Sequence, residues 1–393
     1  MPPSDIVHRN VVRPMELGFR LFIYYPSRYL LYYIAPGFQI PYIIAVGRLP
    51  VTLMELCVKL VPFKFRSHCA MVFVHGGGFV SRMDGYDAVI SPFVETFGCV
   101  VFAPDYTPGP YPISMRECQS VVTQLLCDAK LQQMFQYDPS EIVLFGESAG
   151  GTLTTVVAQR IAVEKGLKYK PKCQVLLYPI TQMLNFRTSS YLDYERLMPN
   201  TSFLSPYLMS MFALSYLGLK LSRKNQQALL HNRHVHPSVR NAVISSRIVN
   251  NNNKRKSPTT CVLSANSERL IANAVKCWQS EWVEETAMNQ ETEFNRTLAP
   301  MVVDPDISPL LHPDPSDLPP TLLITVGYDV LRDDGLLYLS RLRDNDVSVW
   351  HLHYAKCFHS ILNLKCETRD RMIRDIYDHV QHMRQHDVGV QKI

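Results

Sequence analysis

Two short motifs carry the chemistry of this 393-residue chain. His75-Gly76-Gly77-Gly78 stands about 70 positions before Gly146-Glu147-Ser148-Ala149-Gly150. A serine hydroxyl is a weak nucleophile at neutral pH; it needs a base to take its proton and a third group to orient that base. The second motif fits G-x-S-x-G, the sharp strand-to-helix turn that lifts a serine clear of the backbone. Gly146 and Gly150 leave space where a side chain would clash, and Gly151 extends the small run so that the following helix can pack closely. In the first motif, consecutive glycines let backbone N–H groups converge on one point. Gly76, Gly77 and Gly78, with the N–H of Ala149, are the expected donors to an oxyanion. The expected reaction is therefore acyl transfer through Ser148. A phosphate-cradling loop is disfavoured: no lysine follows in Walker-type spacing and no G-x-G-x-x-G is present.

The acid and the base must come later, in the order Ser, Asp, His. A β-rich run at 321–326 leads to Asp329, and another at 348–354 leads to His359. Asp333 and Asp334 compete with Asp329; they fall in the next helix, expected at its exposed first turn, where acids suit the helix dipole. His351 and His353 compete with His359, but they alternate within the strand as sheet-face residues do. Position favours Asp329 and His359 without closing the alternatives.

These groups need a scaffold. Apolar β-rich runs at 70–74, 99–103, 141–145, 173–178, 321–326 and 348–354 alternate with helical stretches near 113–130, 149–165, 332–344 and 367–385. Such alternation predicts a mainly parallel sheet covered on both faces, with the active loops at the carboxyl ends of its strands. The rhythm breaks between about 181 and 300, a stretch rich in Asn, Ser, Arg and Met with an apolar helix-like piece at 203–218. It reads as a helical cap inserted into a catalytic domain spanning 66–393. Before residue 70 little strand pattern is visible; 61–65 is the one candidate fragment, and otherwise the first strands are absent.

Residues 1–65 form an apolar N-terminal segment. Within it, 29–47 carries no charge between Arg28 and Arg48, and nineteen helical residues suffice to cross a bilayer. Pro36, Gly37 and Pro41 break such a helix, and the surrounding tyrosines favour the membrane interface. Attachment to a membrane, by spanning it or lying on it, is expected; the alternative is a helix folded over the active-site mouth.

Composition excludes other classes. Hydrophobic residues make up 47% and charged residues 19%, enough for a large core and against disorder. The net charge of +5 is scattered, with Lys254, Arg255 and Lys256 as a solvated loop, so no nucleic-acid partner is expected. Ten cysteines show neither a CxxC pair nor metal-ligand spacing, and neither metal nor cofactor is expected. Asn200-Thr201-Ser202 and Asn295-Arg296-Thr297 are glycosylation candidates, relevant only in a secretory lumen.

Taken together, His75-Gly76-Gly77-Gly78-Phe79, Gly146-Glu147-Ser148-Ala149-Gly150-Gly151, Leu177-Tyr178-Pro179, Ser308-Pro309-Leu310-Leu311, Tyr328-Asp329-Val330-Leu331-Arg332-Asp333-Asp334-Gly335 and Phe358-His359 resemble the hormone-sensitive-lipase family of α/β-hydrolases. Within it they look most like arylacetamide deacetylases and neutral cholesterol ester hydrolases, from about residue 72 to 364. The resemblance implies an α/β-hydrolase fold with a helical cap shaping an apolar pocket. It implies Ser148 as nucleophile, Asp329 as orienting acid, His359 as base, and Gly76, Gly77, Gly78 and Ala149 as oxyanion hole. It also implies a lipophilic ester or amide substrate, including arylacetamides, and an endoplasmic-reticulum membrane protein with a lumenal catalytic domain. The chain departs from the pattern at Asp105-Tyr106-Thr107-Pro108-Gly109-Pro110, where a Tyr followed by Leu-Ala-Pro-Glu is usual. It departs again at Cys357 and Ser360, where glycine is common, and at Glu147, where aspartate is commoner. Met198, Phe203, Leu204, Met209, Met211 and Phe212 are pocket candidates or plain helix core in equal measure. The rival function is a small-molecule receptor on the same fold that has lost its chemistry; the complete Ser, Asp and His set argues against it.

Overall fold

The computed structural model describes residues 43–46, 67–83, 86–197, 203–245, 260–264, 266–282, 286 and 289–386. Eight strands form one sheet: β1 (Ile43–Val46), β2 (Ala70–Val74), β3 (Val100–Pro104), β4 (Ile142–Glu147), β5 (Cys173–Leu177), β6 (Cys261–Leu263), β7 (Thr321–Tyr328) and β8 (Val349–Phe358). Their order is β1-β3-β2-β4-β5-β7-β8-β6, and every pairing is parallel.

β2 through β5 are buried along their whole length, which explains their unbroken apolar sequences. Alternate residues serve opposite faces. Val72, Leu144, Leu176 and Leu323 pack on one side with helices α2 (Ile113–Cys127), α4 (Ala149–Val163) and α11 (Arg332–Arg343). Met71, Phe73, Phe145, Val175 and Ile324 pack on the other with α1 (Asp87–Phe97) and α12 (Glu367–His386). A short α3 (Ala129–Phe135) follows α2, its first turn capped by the Asp128 carboxylate. The parallel sheet covered on both faces, as the alternation predicts, is present.

Two stretches differ from expectation. Residues 43–46 lie inside the uncharged run read as a membrane candidate, yet they extend the sheet edge as β1, paired with Val101–Pro104. Residues 61–65 and 29–42 lie outside the described residues, and among the described residues no helix is long and apolar enough to cross a membrane. The interval 181–300 holds the helices α5 (Ser189–Leu197), α6 (Pro206–Tyr216), α7 (Arg223–Leu230) and α8 (Pro237–Ser245). It then returns to the sheet: β6 pairs with β8, and α9 (Ser267–Lys276) packs against α11. A further helix, α10 (Glu293–Val302), completes the interval.

Asn295 is a correction to the glycosylation candidates. It is fully buried at the third position of α10, where its Oδ1 accepts from Thr292 N (2.9 Å) and its Nδ2 donates to Gln290 O (2.8 Å). The oxygen completes a capping box with Thr292, and the bond to Gln290 occupies the buried nitrogen a glycan would need. Asn200 lies outside the described residues.

Burial holds four histidines neutral: His75 is pushed down to about 4, His234 to about 4, His351 to about 3 and His353 to about 4. Each folded value lies below the unfolded one near 6.5, so this stability is present above pH 6.5 and is lost as pH falls towards 4. Asp334 opposes them: burial raises it to about 8, so its contribution is lost as pH rises from 4 to 8. Four groups outweigh one. The melting temperature is expected to be several degrees lower at pH 5 than at pH 7, at roughly 1.4 kcal/mol per unopposed group and pH unit. A melting temperature that rises on acidification to pH 5 would contradict these protonation states.

Candidate active site

The strand order explains why residues so far apart in sequence meet. β4 ends at Glu147, and Ser148 takes φ 53°, ψ −124°, the strained elbow between β4 and α4. A Cβ on Gly150 would lie 2.1 Å from Val74 O, and one on Gly146 would lie 2.3 Å from Gly150 O, so both positions must be glycine. On the far side, the register between β7 and β8 shifts after the Val326–Tyr354 pair, with the extra residues in β8, and this brings Tyr328 opposite Phe358. A Cβ on Gly327 would sit 2.0 Å from Ala355 O. With that register, the next residues on each strand, Asp329 and His359, emerge side by side. His359 Nδ1–H donates to Asp329 Oδ2 at 2.9 Å, and the Ser148 hydroxyl donates to His359 Nε2 at 2.9 Å. Asp329 is fully buried, and its second oxygen accepts from Leu331 N at 2.9 Å. The structure thus joins Ser148, Asp329 and His359 in one hydrogen-bonded chain.

The competing residues have other partners. Asp333 and Asp334 are buried, not exposed. Asp333 Oδ2 accepts from Ser190 N, and Asp334 accepts from Thr181 N and Gln182 Nε2. They staple the segment leading into α5 onto the start of α11. A sequence shows their charge and helical position but not the chain laid across them. His351 and His353 both bond to Thr325 Oγ1, on the sheet face as expected.

The glycine loop follows β2, the strand beside β4. Gly77, Gly78 and Phe79 have φ of 98°, 63° and 62°. Gly76 O is drawn backwards by Tyr106 Oη (3.2 Å) and by His75 Nδ1 (2.8 Å), and Gly77 O accepts from Val80 N and Ser81 N. In a trans peptide the N–H points opposite to the preceding C=O, so the amides of Gly77 and Gly78 face away from those anchors. Neither they nor the N–H of Ala149, the first residue of α4, has a hydrogen-bond partner among the described residues. Gly76 is the turn residue: its Cβ position is closed by Glu147 and Ser148. His75, fully buried, stacks on Tyr106 with ring centres 4.1 Å apart. Tyr106 therefore keeps the loop anchored despite the unusual run at 105–110, and Thr107 is held there by Glu117.

Helix α6 rests directly on this loop. A Cβ on Gly78 would be 2.4 Å from the Phe212 ring of α6, and Phe79 stacks on Tyr216 at 3.8 Å. Phe203 is 67% exposed and lies against Phe358, beside His359, whereas Leu204 and Met209 are core. Of the pocket candidates, Phe203 and Phe212 border the site, Leu204 and Met209 are buried in the core, Met211 is half-buried on α6, and Met198 lies outside the described residues. Ser360 adopts φ 67°, the left-handed conformation that glycine would take, and Cys357 is buried. Neither displaces His359.

Comparison with known proteins agrees with this fold. A family described as alpha/beta hydrolase fold matches residues 71–247 and 257–363. The chain belongs to that family. Among curated relatives, this α/β-hydrolase is 27% identical over 298 residues to neutral cholesterol ester hydrolase 1 of Pongo abelii, covering 75% of this chain and 67% of the relative. It is 29% identical over 300 residues to arylacetamide deacetylase of Bos taurus, covering 74% and 68%. Its fold matches an esterase from Pyrobaculum calidifontis with TM-score 0.56 at 21% identity, covering 82% of this chain and 79% of that one. It also matches a thermostable carboxylesterase cloned from a metagenomic library, with TM-score 0.56 at 20% identity, covering 82% of each. These are the relatives and the fold that the motifs pointed to.

Sequence reasoning missed three residues of this hydrolase's site. Tyr86, Tyr106 and Tyr178 all touch the loop, the elbow or the base, but isolated tyrosines carry no spacing signal. Tyr178 stood within a recognised motif without a role.

Proposed function

We propose that the protein is a serine carboxylesterase that cleaves lipophilic carboxylic esters through an acyl-enzyme on Ser148. The observation that carries this reading is the unbroken chain Ser148–His359–Asp329, with 2.9 Å at each link, beside three unpaired amides. Ser148 attacks the carbonyl while His359 takes its proton, and Asp329 stabilises the imidazolium without itself being protonated. The N–H groups of Gly77, Gly78 and Ala149 hold the developing oxyanion. His359 then returns the proton to the leaving alcohol, and water repeats the attack on the acyl group. Gly77→Ala places a Cβ 2.6 Å from Ser81 Cβ at φ 98° and disturbs that nest. It is expected to lower kcat by about 10²–10³-fold, the usual cost of one oxyanion donor. A rate within twofold of wild type would remove this loop from the site.

The substrate class rests on the aromatic border. Phe212 lies over the oxyanion loop and Phe203 beside the base, which supports an apolar acyl or alcohol group. A p-nitrophenyl ester panel from acetate to decanoate tests this: kcat/KM is expected to rise with chain length before falling. A monotonic fall from acetate would reject the lipophilic reading. No turnover on any ester, with saturable binding, would favour the receptor. The names of the relatives in the previous section support lipid esters and arylacetamides as the classes to try first.

Attachment to the endoplasmic-reticulum membrane, with the catalytic domain in the lumen, is part of the same proposal. The uncharged, tyrosine-rich sequence before β1 supports the attachment, and Asn200 supports the lumenal side. Glycosidase digestion is expected to shift the mass by one glycan, and Asn200→Gln to abolish that shift. An unglycosylated protein in carbonate-extractable form would reject both.

A further inference from the structure

Two hydrogen bonds fix the His359 ring at its two nitrogens, but they leave it free to roll about the line joining them. What it lies on must set that roll. The strand order puts β5 and β7 between the serine at the end of β4 and the histidine at the end of β8. The imidazole therefore passes over the end of β5, where Tyr178 sits. Tyr178 is fully buried, holds φ 38°, and its ring centre is 4.5 Å from that of His359 at 50° between planes. Its hydroxyl donates to Glu147 Oε2 at 2.8 Å, while Tyr86 donates to Glu147 Oε1 at 2.6 Å.

Glu147 is buried, and among the described residues no lysine, arginine or histidine pairs with it. Burying a carboxylate is costly unless donors replace its water, and here two phenols do so. The same residue precedes the nucleophile in the chain, and both its side chain and its carbonyl close the Cβ position of Gly76. One carboxylate thus touches the elbow, the glycine loop and the support of the base.

The geometry points to Tyr178 as a positioning residue for His359, held by a Tyr86–Glu147–Tyr178 tether that sets the roll of the imidazole between Asp329 and Ser148. When the ring becomes imidazolium, it also faces an aromatic surface whose hydroxyl donates to a carboxylate. Such a face attracts a cation. This rests on the serine-hydrolase reading above and goes beyond it by assigning a residue outside the Ser, His and Asp set.

The test uses the full chain and p-nitrophenyl acetate, and reads each variant against wild type. Tyr178→Phe keeps the ring and cuts the tether; kcat is expected to fall about 10-fold with KM unchanged. Tyr178→Leu removes the support, with about 100-fold expected, the scale of a misplaced reacting group. Glu147→Gln is expected to match Tyr178→Phe, and the double variant to be no worse than either single, because they break one unit. The proposal is overturned by losses under twofold in both Tyr178 variants at wild-type melting temperature, or by losses in the double variant that multiply. Should the Tyr178 variants not fold, Tyr86→Phe cuts the far end of the tether and must lower kcat in the same sense. A second readout is the far-downfield proton resonance of the His359 Nδ1–H···Asp329 bond, expected to shift in Tyr178→Phe; an unmoved resonance overturns the proposal. Absence of turnover in the wild type would instead sink the hydrolase reading, and the resonance still decides the positioning claim.

Discussion

Ser148→Ala is expected to fold normally and to lower kcat/KM for esters by about 10⁴–10⁶-fold, while abolishing covalent labelling by a fluorophosphonate. The size follows from the geometry. The hydroxyl is the one atom that both accepts the acyl group and gives its proton to His359 Nε2, 2.9 Å away. Alanine removes it without touching the elbow, whose shape is set by Gly146, Gly150 and the bond from Ser148 N to Leu177 O. Residual catalysis from the amide nest and binding would remain. His359→Ala is expected to cost about as much, and the pair together little more, because the two act as one unit. A Ser148→Ala protein that still takes the label would place the nucleophile elsewhere.

Asp329→Asn is expected to lower kcat by about 10⁴-fold with the fold intact, the size seen when an orienting aspartate is replaced in serine proteases. The local bonding dictates which way the amide must lie. Oδ1 of Asp329 accepts from Leu331 N, so the asparagine oxygen is held there. Its NH₂ then points at His359 Nδ1, where a carboxylate oxygen now accepts at 2.9 Å. The ring is driven to the other tautomer, with its proton on Nε2, and can no longer accept from Ser148. A variant within tenfold of wild-type kcat, with unchanged KM, would show that Asp329 does not govern the tautomer, and would reopen the role of Asp333.

Much of the scaffold was legible because its strands are buried on both faces and read as unbroken apolar runs. The runs at 70–74 and 173–178 meet β2 and β5 almost residue for residue. β6 was invisible: three half-exposed residues carry no period. β1 was masked by its neighbours, since an uncharged tyrosine-rich run reads as membrane-seeking whatever four of its residues pair with. The nucleophile elbow and glycine loop were legible because glycine at fixed offsets reports backbone shape directly. Choosing Asp329 over Asp333 and Asp334 was different. All three are buried, and only the register shift between β7 and β8 and the cross-strand partner of Tyr328 separate them. Such facts belong to pairing and have no signature in a single chain. Asn295 shows a related gap: its tripeptide matches an acceptor site, while the same residue closes a local capping box with Thr292 and is fully buried.

The order of strands has one more implication. Nucleophile and anion-binding amides belong to the β2–β4 half of the sheet; acid and base belong to the β7–β8 half. Between them β5 acts as a seam. The catalytic alignment therefore depends on the twist across β5, a feature no reacting atom belongs to.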